Sequence, residues 1–232
     1  MSVNDLVLVQ GMQDTKRALR RWNADPLEVL RPWLGLSVLI AVGLLLAVYA
    51  IASLTAPDPT RYLIPGFHEP ADLMDYVHVL TRNALVLALH AMACVAGFMA
   101  GSSLPLSASH RSGVSRWVHE KAGPLAITFV VCATAFSLST QAYVIGGGAA
   151  SVAAQLGTTP GMLLLALMPH ALPELIALFL PLAAWIMASR NDDWQDLLAA
   201  TFVTVAIAVP VLLASAAVET WVSPHLLHAI GS

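Results

Sequence analysis

MLLLALMPHALPELIALFLPLAAWIMA, residues 162–188, is the stretch that decides the fold. Its ionisable side chains are His170 and Glu174, and everything else is apolar, small or proline. A helix of roughly 20 apolar residues crosses the ~30 Å hydrocarbon core of a bilayer, so this run is long enough to span one. Four more runs qualify on the same ground: Trp33 to Ala56, Asn83 to Gly101, Pro124 to Val144 and Leu197 to Trp221. Pro57-Asp58-Pro59, the segment Gly101 to Pro105, Gly146-Gly147-Gly148, and the turn Arg190 to Asp193 read as the breaks between them. The expectation is an all-α, polytopic integral membrane protein with five transmembrane helices. A cytoplasmic amphipathic segment covers residues 1–31 and a five-span membrane domain residues 32–232.

Composition agrees. Hydrophobic residues make up 58% of the 232 and charged residues 11%, against about 25% charged in an ordinary soluble domain. The mean hydropathy is +0.74. A formal net charge of -3 leaves no basic footprint for nucleic acid. Cys94 and Cys132 both fall inside apolar runs, which gives neither a disulfide framework nor a CxxC motif. Small apolar filler is the plain reading of both, with a thiolate site near His90 as the sharper one. The first apolar run follows a long charged stretch with no small-residue cleavage site, so it reads as a retained helix rather than a signal peptide.

Charge placement orients the chain. Nine of the eleven Lys and Arg residues precede span one, lie between spans two and three, or precede span five. Arg61 and Arg82 fall on the other side, in a loop region that also carries Asp58, Glu69, Asp72 and Asp75. The positive-inside rule then predicts a cytoplasmic N-terminus and an external C-terminus. Leu6 to Leu30 mixes apolar and basic residues at helical spacing, as a surface helix on an anionic leaflet does. Leu73, Tyr76, Val77 and Leu80 share one face, which predicts a second, separate outer helix over Pro70 to Arg82, lying on the bilayer, capping the bundle or standing as a solvated loop helix.

Ionisable groups inside spans are costly, so each is a candidate for function. They are His90 in span two, His170 and Glu174 in span four, and Glu219 near the outer end of span five. Asn83 stands at the mouth of span two, and Ser137, Ser139, Thr140 and Gln141 in span three. At 1.5 Å per residue, His90 and His170 lie about 10 and 12 Å from the outer ends of their helices, and Glu174 about 18 Å. The inner halves hold no charged side chain, which implies a polar cavity open to the outside and sealed beneath. His170 and Glu174 are four apart and share a face. Pro169, Pro173 and Pro181 lack an N–H and free the carbonyls of Leu165, Pro169 and Ala177. Pro169 is therefore expected to break span four and start a half-helix pointing into the cavity. Ala93, Ala96, Gly97, Ala100 and Gly101 form a small-residue stripe for close packing, within the bundle or across a homodimer.

Three of these stretches resemble the stage II sporulation protein M family of bacterial membrane proteins. Pro169, His170, Ala171 and Glu174 match its Pro-His-Gly-x-x-Glu hallmark, with Ala171 where the family usually has glycine. Asn83 matches an asparagine opening span two, with Arg82 where many members carry another. Glu219, Trp221 and Pro224 match a C-terminal glutamate, aromatic and proline. The likeness covers roughly Asp72 to Leu227. It implies work in the bacterial envelope, either as a scaffold for wall hydrolases during spore engulfment or with systems that mature and export circular bacteriocins.

Two kinds of function fit these residues. One is a membrane scaffold or export partner whose cavity holds a segment of another membrane or exported protein, with His90, Gln141 and Glu219 as ligand-binding groups. The other is an intramembrane hydrolase or peptidase with Glu174 as base, His170 polarising a carbonyl or binding a metal, and Asn83 or Gln141 steadying an oxyanion. Whether the chain is catalytic is open at this point. No cofactor is required. A zinc site on His90, His170 and Glu174 has the right residue types and no HExxH spacing. Each candidate also has a structural alternative: a packing hydrogen bond for the histidines, an interfacial carboxylate for Glu219.

Overall fold

The computed structural model describes residues 7–59, 62–64, 66–67, 69–103 and 113–231. Leu6, Arg61, Pro105, Arg111 and Ser232, which bore on the boundaries or charge count above, lie outside the described residues. The described chain is all-helical. The elements are α1 (Val7–Ala24), α2 (Pro26–Leu54), α3 (Leu73–Phe98), α4 (Gly113–Gln155), α5 (Pro160–Asn191), α6 (Leu197–Ala217) and α7 (Ser223–Ile230). A wide π-helical turn, Met99–Ser103, extends α3, and a second, Val218–Val222, joins α6 to α7. A short 3-10 turn, Trp194–Asp196, precedes α6. Among the described residues five helical stretches are long and apolar enough to cross a membrane, so the chain is a multi-pass membrane protein. Leu39, Leu46, Leu89, Phe129, Phe136, Leu165 and Phe202 are all exposed. Such an apolar outer surface needs lipid rather than water as solvent.

The span count stands, but several boundaries are not where turn chemistry put them. Gly146-Gly147-Gly148 does not end span three; α4 runs through it to Gln155. A Cβ on Gly146 would meet Cβ and Cγ2 of Ile51 at 2.7 Å, so this glycine serves close helix approach instead of a turn. The outer helix expected over Pro70 to Arg82 is not separate. It is the first part of α3, which starts at Leu73 behind a reciprocal cap. Asp72 Oδ1 accepts the amides of Met74 (2.7 Å) and Asp75 (2.9 Å), and Asp75 Oδ2 accepts the amide of Asp72 (3.0 Å). The N-terminal amphipathic stretch is also divided: α1 ends at Ala24, and α2 begins at Pro26 with Asp25 Oδ1 accepting the Glu28 amide at 3.3 Å. The break expected in span four is absent as well. The helix is continuous from Pro160 to Asn191, because prolines are tolerated in a membrane helix when neighbours take up the disturbed backbone.

The chain divides into two compact units, and each long helix contributes to both. The first comprises Met1–Ser37, Leu87–Thr134 and Leu178–Ala208. Its core joins Trp33, Leu180, Ala184 and Ala200, with Trp22 meeting Trp33 edge-on at 5.3 Å and 88°. Arg21 of α1 pairs with Asp196 beside α6. Gly97 faces Trp185 and Leu197, and Gly101 faces Trp194, so the small-residue stripe of α3 is occupied within this unit.

The second unit comprises Val38–Val86, Ala135–Ala177 and Val209–Ser232. Ala52, Ala149, Ala150, Ala153, Leu163 and Ala166 fill its core, mostly with small residues that let helices pack closely. Its connecting segment is anchored by aromatic contacts. Phe67 stacks on His228 at 4.1 Å, and Tyr76 stacks on Trp221 at 5.1 Å while donating its hydroxyl to Leu213 O at 3.2 Å. Gly66 has φ +74°, and a Cβ there would meet Pro224 Cγ at 2.5 Å. Only glycine fits that turn against that proline.

Candidate functional site

The polar groups of the second unit gather where α3, α5, the π-helical turn and α7 supply residues in turn. α5 carries His170 and Glu174. Nδ1 of His170 lies 2.7 Å from Ser223 Oγ, and the ring is 7% exposed. The Ser223 hydroxyl is also 3.2 Å from Val218 O, the carbonyl that accepts the Ser223 amide across the π-helical turn. One hydroxyl proton serves one of these acceptors at a time. If it goes to Val218 O, then Nδ1–H of His170 donates to Oγ. If it goes to Nδ1, the ring acts as a base on the serine.

Glu174 sits one turn further along α5, beside Asn83 and within electrostatic range of Glu219 and Arg82. Its Oε2 and Nδ2 of Asn83, whose residue is 4% exposed, are both buried; the two side chains are each other's polar neighbours, but neither atom makes a hydrogen bond of good geometry. Arg82 reaches Glu219 Oε1 at 3.5 Å across a half-open contact. Thr220, also 4% exposed, has an unpartnered buried hydroxyl. Buried polar atoms are nearly always paired, so the Thr220 hydroxyl, with the poorly paired Asn83 and Glu174 in the same cluster, marks a place prepared for something else.

A cavity of about 170 Å³ opens in this cluster. Its polar wall is Asp75, His170, Glu219, Thr220 and Ser223, and its apolar wall includes Ile64, Val79, Leu167 and Leu227. A groove of about 400 Å³, bounded by Phe67, Glu69, Trp221 and His225, shares Thr220 and Pro224 with it.

Of the residues singled out from the sequence, this arrangement brings together His170, Glu174, Asn83 and Glu219. It leaves out the other two. Gln141 donates to Ser137 Oγ at 3.0 Å on its own helix and takes no part in the cavity wall. His90 belongs to the first unit, where Nδ1 bonds Leu178 O at 2.9 Å and the ring tilts on Phe179 at 5.5 Å. Cys94, four residues on, donates Sγ–H to Pro181 O at 3.1 Å. Two α3 side chains therefore dock on the α5 carbonyls of Leu178 and Pro181, a packing role for both. Among the described residues no three His, Cys, Asp or Glu side chains meet in a way that could hold a metal ion.

Ser223, Thr220 and Asp75 were not picked out from the sequence. Asp75 could have been, because Asp72-x-x-Asp75 ahead of an apolar run is a helix-start signature. Ser223 and Thr220 carry no such signal; only the π-helical turn, a feature frequent at functional sites, sets them opposite α5. No protein-family model matches this chain, and neither does any curated protein or solved structure.

Proposed function

We propose that this protein is a non-catalytic membrane scaffold of the stage II sporulation protein M type. It sits in the bacterial cell membrane with its N-terminus in the cytoplasm and its C-terminus outside, and serves envelope remodelling or the maturation and export of a secreted peptide. Its outward cavity engages a segment of a membrane or exported protein. The observation that carries this reading is the buried, unpartnered Thr220 hydroxyl in a cavity with both polar and apolar lining, with Glu174 one helical turn from His170 of the same lining. Such atoms cost stability while unpaired and regain it when a ligand pairs them.

A second reading rests on a different observation, the 2.7 Å approach of His170 Nδ1 to Ser223 Oγ in the cavity wall. In an intramembrane hydrolase or peptidase, the serine oxygen would attack a carbonyl carbon as its proton passes to His170, with Asn83 Nδ2 as oxyanion donor. The imidazolium would return that proton to the departing amine as the C–N bond breaks. Water, with His170 or Glu174 as base, would then release the acyl group from Ser223. Complementation of a deletion strain separates the two, scored by secreted-peptide maturation and wall composition. A scaffold tolerates Ser223→Ala and Glu174→Gln at wild-type membrane levels but loses function with Asn83→Trp, which crowds the cluster beside Glu174. Loss of product with Ser223→Ala or Glu174→Gln in a stably inserted protein would overturn the scaffold reading in favour of the hydrolase.

A further inference from the structure

The cavity of the second unit has a chemical bias that narrows what can enter it. We propose that it receives a primary alkylammonium group, the side chain of a lysine on the polypeptide segment that the scaffold engages. The identity of that segment rests on the scaffold reading; the ammonium site itself rests on the residues that follow.

Charge comes first. Asp75 and Glu219 line the cavity, and among the described residues no Lys or Arg does. Glu174 lies within electrostatic range of Glu219. Against these three carboxylates stands Arg82, which is largely exposed and reaches one oxygen of Glu219. An anion entering here would be repelled by at least two carboxylates. A cation would be attracted, and more strongly than at a water-exposed site because the surroundings are apolar.

The polar atoms point to a donor. An ammonium presents three N–H donors and no acceptor. The wall offers carboxylate and hydroxyl oxygens, including the Thr220 hydroxyl, which is buried and has no partner. Thr220 is the observation independent of charge: an orphaned oxygen in the wall of the same cavity.

Shape narrows the class further. The lining also includes Ile64, Val79, Leu167 and Leu227, suited to the methylene stem of lysine, which buries its carbons while its head finds polar partners. A guanidinium is planar and broad and needs a forked carboxylate partner, whereas Glu219 already turns Oε1 toward Arg82. An ethanolamine headgroup would bring a phosphate next to Asp75 and Glu219.

The test uses the full-length protein purified in detergent, with n-butylammonium as probe and n-butanol, n-butylguanidinium and O-phosphoethanolamine as comparators at equal ionic strength. Thermal unfolding reports binding, since a ligand that binds only the folded state raises the midpoint with concentration. n-Butylammonium should raise the midpoint saturably, with n-butanol and O-phosphoethanolamine inert and n-butylguanidinium weaker. Glu219→Gln should weaken the apparent affinity about tenfold, the usual scale for losing a charged acceptor. Thr220→Val, which keeps the shape and leaves the Arg82 contact alone, should weaken it several-fold and guards against a folding defect in the first variant. Equal stabilisation by n-butanol, or an n-butylammonium effect unchanged in both variants, would overturn the inference. A stronger response to O-phosphoethanolamine would overturn it in favour of a lipid headgroup. Saturable amine binding together with full complementation by Asn83→Trp would remove the scaffold reading and leave the ammonium site standing. No amine binding with failed complementation by Asn83→Trp would remove the ammonium inference alone.

Discussion

His170 Nδ1 and Ser223 Oγ stand 2.7 Å apart, although 53 residues separate them in the chain. The contact ties α5 to the start of α7 within the second unit and fixes the imidazole in the cavity wall. Replacing Ser223 with alanine leaves a buried ring nitrogen without its partner, which costs about 1–3 kcal/mol. Ser223→Ala should therefore lower the unfolding midpoint of the purified protein, and Ser223→Thr, which keeps a hydroxyl, should recover part of the loss. A midpoint unchanged by alanine would mean that the pair contributes nothing to folding.

Gly97 is wedged in the first unit. A Cβ there would meet Trp185 Nε1 at 2.6 Å and Leu197 Cδ1 at 2.8 Å. Gly97→Ala should destabilise by about 1–3 kcal/mol through overpacking, and Gly97→Leu by more. Gly43 is the control, because nothing lies within 4 Å of a Cβ added there; Gly43→Ala should be neutral or slightly stabilising, as alanine favours helix. Equal melting of the two alanine variants would place the Gly97 face toward lipid.

The proposed orientation is open to thiol labelling in a background lacking Cys94 and Cys132. Thr158→Cys lies in the turn between α4 and α5, and Gln195→Cys in the turn between α5 and α6. An impermeant maleimide added to intact spheroplasts should modify the first and spare the second until the membrane is opened. The reverse pattern would turn the chain over and put the candidate cavity on the cytoplasmic side.

Arg21 and Asp196 form an ion pair in which the arginine side chain is 58% exposed. Solvent screens such a pair, so Arg21→Gln should cost no more than about 1 kcal/mol, and the loss should shrink in high salt. A large loss in chemical denaturation would assign the docking of α1 to this contact instead of to the packing of Trp22 on Trp33.

Span number and helical class were legible because hydrophobic length is a one-dimensional property: 20 or so apolar residues in a row have few places to go but the bilayer. The site was legible in part, through the same logic. An ionisable residue inside a span is rare enough that His170, Glu174 and Glu219 stand out of their surroundings, and all three converge on one cluster. His90 stood out equally and turned to a backbone carbonyl instead, since isolation in an apolar run says that a polar group needs a partner and not which one.

Turn signals were the weakest guide. Gly146 to Gly148 and Pro169 would end helices in water, where a freed carbonyl finds solvent. In hydrocarbon the backbone has no such outlet, so α4 and α5 continue through both. What remained for tertiary structure was the pairing of distant segments. Ser223 opposite His170, Asp75 and Thr220 in the cavity wall, and Gly146 against Ile51 all depend on which helix faces turn toward each other. Residue order sets hydrophobic length and the depth of each polar group along its own helix. The rotation and neighbours of that helix come from packing, where small residues admit close approach and buried polar atoms select their partners.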